Sequence, residues 1–189
     1  MHKMFIYFAW FVMAFAPIAT IHGEINPKPY RYPVSLDRRG YVIEFDDGSI
    51  WRVVDSWSAS NVKRWKINDA ILIYPGFSNF LNGSRFVLHN ETRGDKVYAE
   101  IGLGPLKEKQ TYNRILQINY TTGVVDVVDG RGVNYHWRID PSMNHILSSW
   151  RVENCVVYGL NSNIGLFEPS FPYLLFNVDS DTFIKAQYN

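Results

Sequence analysis

Side chains able to do chemistry are few here, and they are scattered. Cys155 is the only cysteine. A thiol beside a base makes a nucleophile, but Cys155 opens the apolar run "CVVYGL", where cysteine reads as a small buried filler. Once a leader carrying His2 and His22 is set aside, the histidines are His89, His136 and His145. No His-x-x-x-His or His-Glu pair joins them, so their spacing offers no zinc site. The acids Glu44, Asp46 and Asp47 fall together in "EFDDG". Two carboxylates could serve glycoside hydrolysis, yet acids beside an Asp-Gly pair are turn residues first. Asp69 precedes the apolar run "AILIY", with Trp65 just upstream, and invites reading as a base beside an aromatic platform. There is no Gly-x-Ser-x-Gly, phosphate loop or dinucleotide fingerprint. No catalytic set, metal or cofactor is expected.

The chain supplies its own control, because its two halves repeat each other. The first carries "YVIEFDDGSIWRVVD", "VKRWKINDAILIYPG" and "SRFVLHNETRGDKVYAEIG"; the second carries "VVDVVDGRGVNYHWRID", "LSSWRVENCVVYGLN" and "PYLLFNVDSDTFIKAQ". Asp47-Gly48 answers Asp129-Gly130, Trp51 answers Trp137, Trp65 answers Trp150, Asn90 answers Asn177 and Ala99 answers Ala186, at a nearly constant interval. An internal duplication accounts for this order. Trp51, Trp65, Asn90, Trp137, Trp150 and Asn177 are therefore expected to be structural anchors. Buried aromatics dominate the energetics of small cores, and a sugar or peptide platform is the alternative role. Asp69 answers Asn154, and an amide cannot take up a proton, so the pair reads as turn formers. Cys155 answers Ala70, and His89 answers Phe176.

Each half reads as about five short strands. Asp47-Gly48 is a tight-hairpin pair between Tyr41–Phe45 and Ser49–Val54. Residues Ala70–Tyr74 are nearly all apolar, as in a strand buried on both faces. "NETRGD" marks a hairpin between Arg85–His89 and Lys96–Ile101. "SASNVKRW", with Ser58 or Ser60 as cap, and "PSMNHILSSW" suit one helical turn per half. Sheets this small usually close on themselves. The expected fold is all-β: two tandem small SH3-like β-barrels, or alternatively a single two-sheet β-sandwich. The expected layout is a signal peptide (1–23), a Pro-rich arm (24–39), a first module (40–103), a linker (104–112) and a second module (113–189).

The opening "MHKMFIYFAWFVMAFAPIATIHGEIN" has a basic start at Lys3, an apolar run from Met4 to Ala19 and small residues before Glu24. That is the order of a secretory signal peptide, cleaved after Gly23. The run is shorter than the roughly 20 residues that span a bilayer, and an uncleaved anchor is the alternative. Without Lys3 the acids and bases balance. A neutral chain lacking a basic block argues against a nucleic-acid partner. With one cysteine no internal disulfide forms, so a core of 47% hydrophobic and 16% aromatic residues must hold the fold. Export without a bridge fits a bacterial envelope. The sequons at Asn82, Asn90 and Asn119 would permit glycosylation in a eukaryote, and chance in such a composition accounts for them nearly as well.

The segments "DDGSIW", "RWKINDAILI" and "FVLHNETRGDKVYA" resemble a pattern in small exported bacterial proteins, known in two-copy form in chlamydia-like bacteria. This chain differs by carrying Asn68-Asp69 and Glu153-Asn154 where Gly-Asp is usual. The resemblance implies a β-module in a periplasmic or secreted location and no defined reaction. The function expected is an exported, non-catalytic β-repeat protein that binds an envelope component or protein partner, or builds the envelope. It has no membrane span after cleavage. The alternative is a secreted glycan or peptide hydrolase using the carboxylates of "EFDD" and the segment "NSNIGLFEPSF". Delivery to a host cell would be a matter of destination. Segments that differ between the halves, the Pro-rich arm and the loop from Asn161 to Phe171, are where function is sought.

Overall fold

The computed structural model describes residues 29–76, 85–161 and 170–189. The leader, the sequon at Asn82 and most of the Asn161–Phe171 loop lie outside the described residues. Among the described residues the regular structure is mostly strand. The first half contains β1 (Pro33–Leu36), β2 (Val42–Phe45), β3 (Ile50–Val53), β4 (Ile71–Pro75), β5 (Phe86–Asn90) and β6 (Asp95–Leu103), with α1 (Ser56–Val62) between β3 and β4. The second contains β7 (Asn113–Asn119), β8 (Val124–Asp129), β9 (Asn134–Ile139), β10 (Val156–Leu160), β11 (Tyr173–Asn177) and β12 (Thr182–Tyr188). A 3-10 turn (Pro141–Met143) and α2 (Asn144–Leu147) stand where α1 stands in the first half.

Both sheets are six-stranded and antiparallel, with one strand order: β1-β2-β3-β6-β5-β4 and β7-β8-β9-β12-β11-β10. The sixth strand comes from β1, inside the stretch read as an arm, and from its equivalent β7. Both sheets are irregular at the same place, between Pro33 and Ser35 and between Ile115 and Gln117. Such bulges add twist and curl a sheet. Each sheet curls until its end strands meet at one bridge, Arg31 with Ile71 in the first and Arg114 with Cys155 in the second. The expectation of tandem small barrels, or of two packed sheets, is met.

Alternation along the strands sends one set of side chains into each barrel. The second core holds Trp137, Trp150, Val156, Tyr158, Leu175 and Ile184, among others, all from its own half. The first holds Trp51, Trp65, Ile71, Ile73, Phe86 and Leu88, together with Val157 and Phe176 of the second half. Those two point outward from their own sheet, so the outer face of β10–β11 completes the core of the first barrel. Phe176 meets Phe86 edge-to-face at 4.8 Å. Beside them Gly159 comes so close that a Cβ would lie 2.6 Å from the Ile73 carbonyl oxygen, a contact only glycine permits. Arg85 lies 5.5 Å from the Phe176 ring centroid and pairs with Asp181.

Candidate functional site

Trp65 and Asp69 belong to the turn that feeds each core strand, and their neighbours explain both. Asn68 and Glu153, at equivalent positions, each have φ of 70°. This left-handed conformation suits glycine. The Asp69 carboxylate accepts from the Lys66 N–H (3.0 Å), Asn90 Nδ2 (2.8 Å) and Arg93 Nε (2.6 Å). Asn154 Oδ1 accepts from the Arg151 N–H (2.7 Å) and Asn177 Nδ2 (3.0 Å) in the same way. Asn90 and Asn177 turn their own oxygens to the backbone of the following hairpins, at the Arg93 N–H and the Ser180 N–H. The indole N–H of Trp65 reaches Asp95 Oδ1, and that of Trp150 reaches Thr182 Oγ1, both at 2.8 Å. Trp51, Trp65, Asn90, Trp137, Trp150 and Asn177 are all buried. Burial pulls the Asp69 carboxyl upward, but its bonds to Asn90, Lys66 and Arg93 outweigh that and hold it below the usual carboxylate range.

The remaining candidates are also committed to local structure. Asp47 is fully buried, accepts from the Ser49 N–H at 2.9 Å, and faces Arg31 Nε at 3.1 Å. Its equivalent Asp129 accepts from the N–H groups of Arg131 and Val133 and pairs with Arg131. Asp46 exchanges hydrogen bonds with the Tyr32 backbone, and burial raises its carboxyl. Glu44 sits on β2, opposite Ser35 and Ile50. Cys155 is buried, and burial followed by the charge of Asp179 pushes its thiol up to about 12. His89 pairs with Glu91 and His136 with Asp126, each at 2.8 Å, while His145 faces the Ser142 carbonyl at 3.1 Å. The three histidines therefore serve three separate places. Among the described residues, no group of three or more His, Cys, Asp or Glu could hold a metal ion.

A polar cleft of about 360 Å³ opens beside the connector, lined by Lys107, Tyr112, Arg114, Asp129 and Glu153. Its charges are largely matched from within, since Arg114 pairs with Glu153 and Asp129 with Arg131.

A different surface stands out once the halves are superposed residue by residue: the outer side of α1. The helix begins because Asp55, not Ser58 or Ser60, caps it, accepting the Ser58 N–H and hydroxyl at 2.7 Å. Ser58, Ala59, Asn61 and Val62 turn inward, and the Ser58 hydroxyl accepts the Tyr98 N–H of β6 at 3.0 Å. Gly40, at φ +79°, seats the β1–β2 turn on the helix, where a Cβ would meet the Ala59 carbonyl oxygen at 2.1 Å. The side left outside carries Trp57, Ser60, Lys63 and Arg64, flanked by Arg38, Arg39 and Tyr41 of the turn and by Lys66 and Ile67 beyond the helix. Trp57 is 61% exposed and Ile67 59%. Recurrence picks out the buried tryptophans and leaves Trp57 aside. The signal was its lack of a counterpart, since Ser142 occupies the equivalent position.

Among the described residues, no helix is long and apolar enough to cross a membrane. Compared with known proteins, the chain matches no family model, no curated protein and no solved structure.

Proposed function

We propose that this chain is an exported, non-catalytic binding protein of the bacterial envelope or secreted space, built from two β-barrel repeats of one ancestral unit. One observation carries the reading. Polar residues shared by both halves are tied into turns and strand ends, whereas the surface that differs carries exposed aromatic and cationic side chains. Shared residues serve the fold, and the unshared face is free to serve a partner. A carboxylate hydrolase would need Asp46 and Asp47 at a substrate, and Asp47 is committed to Arg31.

The test combines fractionation with activity. Expressed with its own leader in a bacterium, the protein is expected in the periplasmic or culture fraction with Glu24 as its first residue. Retention in the cytoplasm would remove the export reading. The purified protein is expected to release no products from cell-wall glycan or peptide substrates. Hydrolysis abolished by Asp46→Asn would replace binding with catalysis.

A further inference from the structure

The α1 face of the first barrel has a chemistry specific enough to name its partner. The cations Arg38, Arg39, Lys63 and Lys66 are exposed, and among the described residues no acid pairs with them; Arg64 alone is held, by Asp95 at 3.2 Å. Lys96 joins the group, since its carbonyl accepts from Asn61 Nδ2 of α1 at 3.3 Å. Asp37, in the same turn as Arg38 and Arg39, turns its carboxylate to the N–H groups of Arg39 and Val42. Among these cations stand the exposed Trp57, Tyr41 and Ile67, with Val34 next to Ile67 because the Asn68 N–H bonds the Pro33 carbonyl.

The second barrel shows which of these features the fold requires. It keeps the apolar pair, with Leu116 and Val152 exposed in place of Val34 and Ile67. It drops the rest: Tyr120 and Thr121 replace Arg38 and Arg39, Gly123 replaces Tyr41, Ser142 replaces Trp57, and Ser148 and Ser149 replace Lys63 and Arg64. Arg151, in place of Lys66, is tied to the carbonyls of Ser148 and Trp150 at 2.7 Å. A fold that stands without tryptophan or a cation cluster at this place does not need them for stability.

We infer that this face docks the protein on the surface of an anionic lipid bilayer, a partner that deepens and rests on the binding reading above. The cations would meet lipid phosphates, and Trp57, Tyr41, Ile67 and Val34 would enter the headgroup region. Tryptophan and tyrosine with lysine and arginine are the side chains that settle at a membrane interface, and basic residues add attraction to anionic lipid. The combination separates this from the alternatives: both barrels expose an aliphatic pair, and only the first surrounds it with cations, Trp57 and Tyr41. A polyanion in solution rewards the cations and stacks on aromatic rings but gains nothing from isolated aliphatic side chains pointing into water. A bilayer accepts them without a matching pocket.

Sedimentation of the purified full chain with vesicles of phosphatidylcholine, with and without one-third phosphatidylglycerol, tests this. Binding is expected only with phosphatidylglycerol, weakening as salt rises from about 0.1 M to about 0.5 M. Replacing Arg38, Lys63 and Lys66 together by Gln is expected to weaken it roughly a hundredfold. Trp57→Ser, copying the second barrel, should weaken it severalfold with an unchanged melting temperature. Tryptophan emission should shift to the blue on vesicles in the native chain and not in Trp57→Phe. Equal binding to phosphatidylcholine vesicles, or binding indifferent to these changes, would overturn the inference. Binding to soluble dextran sulfate through the same cations, with none to vesicles, would also overturn it while leaving the binding-protein reading intact.

Discussion

The two barrels share a strand order and a set of turns, yet they stand in unequal relation to each other. The first core is completed from outside by Val157 and Phe176, while the second is filled from its own half. The difference extends to the central tryptophans. Trp51 donates its indole N–H to Ser49 Oγ at 2.9 Å. At the equivalent of Ser49 the second barrel carries Tyr135, whose hydroxyl turns to Asp129, and the Trp137 N–H is left without a well-placed acceptor. Rings take over there: Trp137 lies 5.1 Å from Tyr158, 5.1 Å from Tyr173 and 5.6 Å from Tyr188. Trp51 in the first barrel meets Phe45 at 6.1 Å and Phe86 at 5.2 Å, and Ile73 and Ile101 stand where the second barrel has Tyr158 and Tyr188. One scaffold thus tolerates two fillings, and the outer face of the second barrel forms part of the core of the first.

The strongest way to break this asymmetry is Phe176→Ala. It should cost about 3–5 kcal/mol, and the loss should fall on the first barrel. Denaturant unfolding followed residue by residue by hydrogen exchange would show β4 and β5 losing protection ahead of β8 and β9; uniform loss would contradict the assignment of Phe176 to the first core. Gly159→Ala presses a methyl group against the Ile73 carbonyl and should cost roughly 1–3 kcal/mol, read as a lower denaturation midpoint. A variant as stable as the parent would show that the barrels can move apart freely. Next come the twin tryptophans. Trp65→Phe and Trp150→Phe each remove one indole N–H, but the first leaves a carboxylate and the second a hydroxyl. The Trp65 change should be the larger by about 1 kcal/mol, and equal losses in thermal melts would remove the distinction.

The smallest effect is one of pH. Asp69 has a folded pKa below its unfolded value of about 3.9, so as pH falls the unfolded chain takes up the proton first. Its contribution is complete above the unfolded pKa and is lost as pH drops through the lower, folded value. Asp69→Asn, which copies Asn154, should flatten that part of the stability profile and leave the turn formed. Acid curves of parent and variant that superpose would show the carboxylate contributes nothing beyond its amide twin.

Local features were readable from the residues alone. Asp47-Gly48 and "NETRGD" mark hairpins because turn chemistry depends on a few adjacent residues, and the apolar run from Ile71 marks a core strand. The anchors Trp65 and Asn90, and Asp69 as a turn former, are marked by repetition, which filters out accident. Three things were hidden for a common reason: they depend on contacts between distant segments. Residues 33–36, behind a proline-rich lead, become β1 only through pairing with β2 and the bridge of Arg31 to Ile71. Phe176 and Val157 look like ordinary core residues, because alternation says which side they face and not whose core they enter. Trp57 escapes this filter, because repetition favours the shared and is silent about the singular.

The contact through Phe176 and Gly159 joins two different surfaces, the outer β10–β11 face of one unit and the core opening of the other. A head-to-tail joint of this kind has no natural end: if every unit offered both surfaces, each would receive another, and growth would run on as a fibre. The first barrel closes that route with two residues. Where the second unit has Phe176 the first has His89, paired with Glu91, and where the second has Gly159 the first has Tyr74, too bulky for the close approach. The outer face of the first barrel is thereby unable to repeat the joint made by the second.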